Sequence, residues 1–377
     1  MRELVVDLEA IRENVRTVAA RVAPAQLIAV VKADAYGHGL VPVARAMAEA
    51  GADAFGVVDL DEARRLKQGG IERPIIAWIH PPDADFGWAV AFGIELGIGS
   101  VEQLERLALA SRGVAAFARR AEAEVRPAIV HLKADSGLGR GGALGEEWRR
   151  LCERAAALER SGEIVVRAVW THLANASAEA DAAQFAAFDE ALAVARAAGL
   201  APELEHAVSS ASAIAYPEQA RGAARVGMAL YGVSPFAERT AAQLGLRPAM
   251  ELAGAVVGVK RVPAGLGVSY GHRYVTPRET TLALVPLGYA DGLPRAASGR
   301  GPVTINGRRY TIAGTIAMDQ VVVDVGDDPV AVGDRAVFWG DPATGAPSVA
   351  EWADAAGTIG YEIVTRVGPR VHRRYLG

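Results

Sequence analysis

Lys32 closes an apolar run in the segment Ile28-Ala-Val-Val-Lys32-Ala-Asp-Ala-Tyr36-Gly-His-Gly39. The stretch Leu27–Val31 reads as a short buried strand, and Gly37 and Gly39 open the helix that follows. An amine held at such a strand end loses hydration. Its pKa falls and it becomes nucleophilic at neutral pH, as carbonyl chemistry requires. A lysine at a strand end also simply snorkels into solvent with no chemical task, so its neighbours must decide. Further chemistry-bearing residues stand at equivalent places: Lys133 with Arg140, His172, Ser209-Ser210 and Arg225-Val-Gly227-Met228 each follow a strand-like run. One amine, several cations, hydroxyls and a glycine turn suit an anionic, phosphate-bearing aldehyde. Lys32 would form an imine with it while Ser210 and backbone amides hold the phosphate. Gly137-Leu-Gly139-Arg-Gly141-Gly142 is neither a Walker loop nor a dinucleotide fingerprint.

These positions require a scaffold with many strand ends on one face. Strand-like runs recur at Leu27–Val31, Ala54–Val58, Pro74–Trp78, Val125–Leu132, Ile164–Trp170, Glu203–Val208 and Ala224–Val226, with a weaker run at Gly93–Gly99. Helical stretches lie between them. Asp59 with Glu62 and Ser100 with Gln103 are start signals, and Gly69-Gly70 and Gly199 are stops. Asp7 can cap a first helix with the apolar stripe Leu8, Ile11, Val15, Val18 and Val22. Eight strand–helix alternations favour an α/β fold closed as a (β/α)8 barrel, whose working groups lie at the C-terminal strand ends. An open doubly wound sheet is the alternative, because the fourth run is poorly marked.

After Tyr231-Gly-Val-Ser-Pro235 the texture changes. Strand-like runs at Ala253–Val259, Thr280–Val285, Val303–Ile305, Tyr310–Ile312 and Val321–Val325 are separated by turn pairs such as Asn306-Gly307 and Gly333-Asp334, with few helical stretches. The expectation is a barrel over residues 1–237, its first few residues open to joining the second domain, and a mostly β domain over 238–377.

Composition narrows the class further. The 377 residues carry 40 basic and 44 acidic side chains without a basic, aromatic-interleaved stripe, which argues against a nucleic-acid partner. The first residues lack a signal peptide's apolar stretch, and no apolar run reaches membrane-spanning length, so a soluble cytoplasmic protein is expected. Cys152 is the only cysteine, which excludes an intrachain disulfide and a cysteine metal cluster, and no metal is expected.

Seven motifs together resemble the alanine racemase family of pyridoxal 5'-phosphate enzymes. They are Val31-Lys-Ala-Asp-Ala-Tyr-Gly-His-Gly39, His131-Leu-Lys-Ala-Asp-Ser-Gly-Leu-Gly-Arg140, Thr171-His-Leu-Ala174, Arg225-Val-Gly-Met-Ala-Leu-Tyr-Gly232, Val268-Ser-Tyr-Gly271, Gly288-Tyr-Ala-Asp-Gly292 and Met318-Asp-Gln320. The resemblance runs from the first helix to Tyr361-Glu-Ile-Val and keeps the family's order and spacing. It implies that Lys32 bonds to the cofactor and that Lys32 and Tyr270 are the two bases, acting on opposite faces of Cα. It further implies that Arg225 faces the pyridine nitrogen, that Tyr36, Ser210, Gly227, Met228 and Tyr361 hold the phosphate, and that His172 lies near the ring and links to Tyr270. Arg140 would pair with Tyr270 and favour its phenolate, and Lys133 would carry a carbamate that positions Arg140. Met318 would meet the substrate carboxylate through its backbone, and Tyr289 would narrow the entrance. A homodimer with shared active sites and a supply of D-alanine for peptidoglycan are also implied.

Four positions depart from the family pattern. Ser209 replaces the usual Asn before the phosphate serine, and Ser177 replaces an acidic residue five after His172. Thr315 stands where an arginine is usual, and Ala317 where cysteine or another small residue is common. Ser177 and Thr315 remove opposite charges from positions associated with substrate entry, which keeps a racemase of broader scope open. A decarboxylase of the same fold would place a carboxylate where Arg225 stands. A non-enzymatic cofactor carrier would lack the second domain and its Tyr270 motif.

Overall fold

The computed structural model describes residues 2–122, 124 and 126–377, which form two units. Val125, where the fifth strand-like run was expected to begin, lies outside the described residues.

The first unit comprises residues 15–33 and 47–227. Its eight parallel strands are Gln26–Val30, Ala54–Val57, Ile75–Ala77, Glu95–Ile98, Ala128–Lys133, Ile164–Trp170, Leu204–His206 and Ala223–Val226. Each pairs with the next from Gln26–Val30 to Leu204–His206, and Ala223–Val226 pairs back onto Gln26–Val30. Backbone bonds from Gly222 to Glu205 and from Arg225 to Val208, both 3.1 Å, join the remaining edge and close the barrel. The weakly marked fourth run is therefore a true strand. Buried on both faces, these strands need unbroken apolar runs, which is how they read in the sequence. Inside, Trp78 packs on Ile28, Ala54, Ile76 and Ala223. Glycines 56 and 97 leave the space its ring takes: a Cβ on Gly56 would overlap the indole, and one on Gly97 would lie 3.0 Å from it.

The helix signals hold. The Asp59 carboxylate accepts from the Asp61 and Glu62 amides, and Ser100 Oγ accepts from the Gln103 amide at 3.2 Å. Asp7 Oδ1 accepts from the Ala10 amide at 3.0 Å at the start of the helix Leu8–Val22.

The second unit comprises residues 1–14, 34–46 and 228–377. Its six-stranded sheet runs in the order Arg308–Thr311, Pro302–Ile305, Arg335–Trp339, Met250–Ala255, Arg2–Asp7, His372–Leu376. The N-terminal strand thus joins the β unit, antiparallel to Met250–Ala255 and parallel to His372–Leu376. Asn306 and Gly307, at φ 50° and 76°, form the two-residue turn between the paired strands Pro302–Ile305 and Arg308–Thr311.

One expectation for this unit needs correction. The run Ala253–Val259 is not one strand. It splits between Met250–Ala255 in the large sheet and Gly258–Val262 in a three-stranded sheet with Thr280–Val285 and Val321–Gly326. Alternation alone carries no mark of where a chain changes sheets. Helices are few, as expected: Val349–Ala356 is one, and its capping box pairs Ser348 Oγ with the Glu351 amide and the Glu351 carboxylate with the Ser348 amide.

Candidate active site

Val31 extends the first barrel strand, its amide donating to Gly56 at 2.9 Å, and Lys32 follows. Ala33, Asp34, Ala35 and Tyr36 then all adopt left-handed backbone angles, with φ of 55°, 55°, 54° and 51°. Such a turn costs L-residues about 1–2 kcal/mol each, so its surroundings must hold it. Glu62 does so at the entry, accepting from the Ala33 amide at 2.6 Å and the Val58 amide at 3.0 Å. At the exit, the Asp34 carbonyl accepts from the Gly39 amide at 2.8 Å and its carboxylate from the Leu40 amide at 3.2 Å. His38 is buried, which pushes its pKa down to about 4 and leaves it neutral. Its Nδ1–H donates to the Tyr36 and Ala35 carbonyls at 2.9 and 3.1 Å.

Lys32 is exposed, which corrects the expectation of a buried amine. The protein around it still strips enough water to lower its pKa. Arg140 adds to that effect, and Glu62 opposes it. Lys32 makes no hydrogen bond or ion pair among the described residues. Its amine is uncommitted and deprotonates more readily than that of an ordinary lysine.

Arg225 is the opposite case. It is 4% exposed, and its guanidinium donates to the carbonyls of Thr171, His206 and Ala207, to His206 Nδ1 at 2.8 Å and to His172 Nδ1 at 3.3 Å. Burial, then Arg140, lowers its pKa to about 9, which leaves it charged at neutral pH. Trp170 faces two cations, Arg225 at 4.8 Å and Lys133 at 5.0 Å from the ring centroid. Lys133 is brought down to about 8 by burial, then by Arg140 and Arg225. His172 falls to about 3, through burial first and then Arg225 and the other cations, so it is neutral.

The glycine-rich loop after Lys133 positions Arg140. Asp135 Oδ1 gathers the amides of Gly137 and Leu138 at 3.0 Å and of Gly139 at 3.2 Å. The backbone of Ala143 bonds to Lys133 and Asp135 at 3.0 Å and closes the loop. Ser210 is buried, and its Oγ accepts from the Gly227 amide at 3.0 Å. Ser177 is a helix cap, accepting from the Ala180 amide at 3.1 Å, and the Ser209 amide donates to Ser212 Oγ at 2.8 Å. The barrel unit therefore brings Lys32, Lys133, Arg140, His172, Ser210, Arg225 and Gly227 together.

The β unit holds the rest. Tyr36 is buried, with ring centroids 4.8 Å from Tyr231 and 6.3 Å from Tyr361. Tyr361 lies on the helix Gly360–Thr365, its hydroxyl pKa raised by burial, and Met228 is fully buried. Tyr270 is 74% exposed, yet its backbone is fixed. Thr315 Oγ1 donates to the Tyr270 carbonyl at 2.9 Å, and Ser269 Oγ donates to the Thr315 carbonyl at 2.7 Å. Thr315 is thus a buried clamp on the Tyr270 loop. Tyr289 and Met318 are exposed and tied together, because the Tyr289 and Ala290 amides donate to the Ala317 and Met318 carbonyls at 3.0 Å.

Sequence reasoning missed Thr315's clamp, Asp135, Glu62's grip on Ala33 and the histidines behind Arg225. Glu62 was visible only as a helix-start residue.

The donor set fits a phosphate-bearing aldehyde. Lys32 supplies a free amine, Ser210 and the Gly227 amide a buried polar pair, and Arg225 a cation that keeps its protons. A closed barrel with these groups at its strand ends, joined to a mostly β unit, defines a barrel-plus-β-domain enzyme. Residues 6–235 match the family model for the alanine racemase N-terminal domain, and residues 249–375 that for its C-terminal domain. The alanine racemase of Thermobifida fusca is 47% identical over 375 residues, spanning 99% of this chain and 97% of that protein. That of Salinispora arenicola is 47% identical over 379 residues, spanning 100% and 98%. The crystal structure of alanine racemase from D-cycloserine-producing Streptomyces lavendulae matches with a TM-score of 0.96 at 45% identity, over 100% of this chain and 97% of that one. The enzyme from Corynebacterium glutamicum matches at 0.84 and 35% identity, over 100% and 99%. The chain belongs to the alanine racemase family. No helix among its described residues is long and apolar enough to cross a membrane.

Proposed function

We propose that this chain interconverts L- and D-alanine with pyridoxal 5'-phosphate, Lys32 and Tyr270 being the two bases. The observation that carries the reading is the uncommitted Lys32 amine, its pKa lowered by desolvation and then by Arg140, directly after the first barrel strand. When bound, the cofactor supplies the electron withdrawal that acidifies the substrate Cα–H. Lys32 holds the cofactor and moves a proton at its Nζ on one face. The Tyr270 hydroxyl moves one on the other, and inversion follows from that opposition. Ser210, Gly227, Tyr36, Met228 and Tyr361 hold the phosphate. Arg225, keeping its own protons, would hold the cofactor's ring nitrogen without supplying it a proton. His172, neutral, lies near the ring.

Lys133 carries a carbamate in this reading. Its lowered pKa supports the modification, since the free amine is the reacting form, and the change would relieve repulsion with Arg140. Arg140 then favours the Tyr270 phenolate, Met318 meets the substrate carboxylate, and Tyr289 narrows the entrance. The exposure of Tyr270, Tyr289 and Met318 supports a homodimer in which these residues complete the partner's site. The product would supply D-alanine for peptidoglycan in the cytoplasm.

Borohydride treatment of the holoenzyme tests the assignment. The cofactor should be fixed to the peptide containing Lys32, and alanine should be racemised faster than serine, lysine or arginine. A label on another lysine would refute the site, and equal turnover of serine would refute the alanine preference.

A further inference from the structure

Behind Arg225 a line of buried polar groups crosses the barrel interior, and its proton positions can be deduced. A guanidinium offers only N–H donors, so His206 Nδ1, 2.8 Å from Arg225, must be an acceptor. His206 is fully buried, and burial and then Arg225 hold its pKa well below the usual value. It is neutral, and its single proton sits on Nε2. That N–H faces His131 Nδ1 at 3.0 Å, which must in turn accept. The His131 proton therefore sits on Nε2, 2.6 Å from a Glu95 oxygen. The other Glu95 oxygen accepts from Arg167. Burial works to raise the Glu95 pKa, but His131 and Arg167 outweigh it and hold the carboxyl below its usual range, so it is ionised.

Every donor in this line points toward Glu95. Reversing either ring would set two N–H groups against each other or turn an N–H toward Arg225. Glu95, His131 and His206 are 3%, 0% and 0% exposed, so water does not relieve such a conflict. The other charged groups around Arg225 are Lys133 and Arg140, and neither is a hydrogen-bond acceptor. Among the described residues Arg225 makes no ion pair with a carboxylate, and Glu95 is the anion its own hydrogen-bond chain reaches.

We propose that Glu95 is a positioning residue for Arg225: by accepting from His131 it fixes the tautomers of His131 and His206, so that His206 presents a bare nitrogen to the guanidinium. The consequence for catalysis rests on the reading of Arg225 given above. The tautomers themselves do not.

Nitrogen NMR of the holoenzyme carrying ring-labelled histidine is the test. In the parent protein at neutral pH, His131 and His206 should both show a protonated Nε2 and a bare Nδ1. Glu95→Ala should mix the tautomers of both rings and lower turnover about tenfold, with a smaller change in KM. Glu95→Gln offers a single acceptor oxygen to both His131 and Arg167, so it should restore the order of the rings and the turnover only in part. A proton on Nδ1 of either histidine in the parent protein overturns the proposal, and this reading stands even if Glu95→Ala does not fold. Unchanged tautomers in a folded Glu95→Ala protein overturn it as well. Failure of the cofactor to attach at Lys32 would instead defeat the racemase reading and leave the tautomers measurable.

Discussion

The two units hold most of their candidate groups in opposite ways, the exposed Lys32 of the barrel excepted. In the barrel, Arg225 and Ser210 are buried and their polar atoms are engaged within the same unit. In the β unit the backbone around Tyr270 is just as firmly held, by Thr315 and Ser269, yet the side chain is 74% exposed. Its hydroxyl makes no hydrogen bond among the described residues. Met318, 52% exposed, is held in the same manner through its carbonyl. A fixed backbone beneath a free side chain is what a group needs when its working partner is supplied by another surface. On the proposed reading the barrel supplies Lys32 and its cations, and the β unit presents the group that acts opposite them.

Removing one proposed base from each unit should break the comparison most severely. Lys32→Ala should reduce racemisation about 10⁴-fold or more in both directions and abolish borohydride fixation of the cofactor. Tyr270→Phe should cost about 10²–10⁴-fold while leaving fixation at Lys32 intact. If Tyr270→Phe also prevented fixation, Tyr270 would belong to cofactor binding and the division of labour would be wrong. Thr315→Val makes a finer cut. It removes one hydroxyl from a buried site of similar volume, leaving the Tyr270 carbonyl short of a donor, which costs about 1–2 kcal/mol. Turnover should fall about three- to tenfold, as measured by circular dichroism of alanine, with cofactor fixation unaltered. Unchanged turnover in Thr315→Val would show that the clamp does not position Tyr270.

Much of the barrel was legible because each buried strand is a short apolar run that its own residues announce. Ile164–Trp170 in the barrel has the bounds expected of it, as does Thr280–Val285 in the β unit. Lys32 was legible from its place at a strand end and from its motif, and Arg225 from the glycine turn after it. The left-handed turn at Ala33–Tyr36 was not, since two alanines in that conformation contradict local preference and contacts from Glu62, Asp34 and His38 sustain it. The relay behind Arg225 was hidden for another reason. Glu95, His131 and His206 are on three different strands, and only barrel closure brings them into line. That the first residues could join the second domain was foreseen, but the strand Arg2–Asp7 was not, because its partners, Met250–Ala255 and His372–Leu376, are far off in the chain.

Complementation tests the shared site most directly. A Lys32→Ala chain and a Tyr270→Ala chain should each be nearly inactive alone. If the tyrosine comes from the partner, a mixed dimer places both defects in one site and leaves the other intact. Random pairing makes roughly half the dimers mixed, so about a quarter of all sites should regain full activity on co-expression. No recovery, with mixed dimers shown to be present, would mean that each chain completes its own site and would contradict the account.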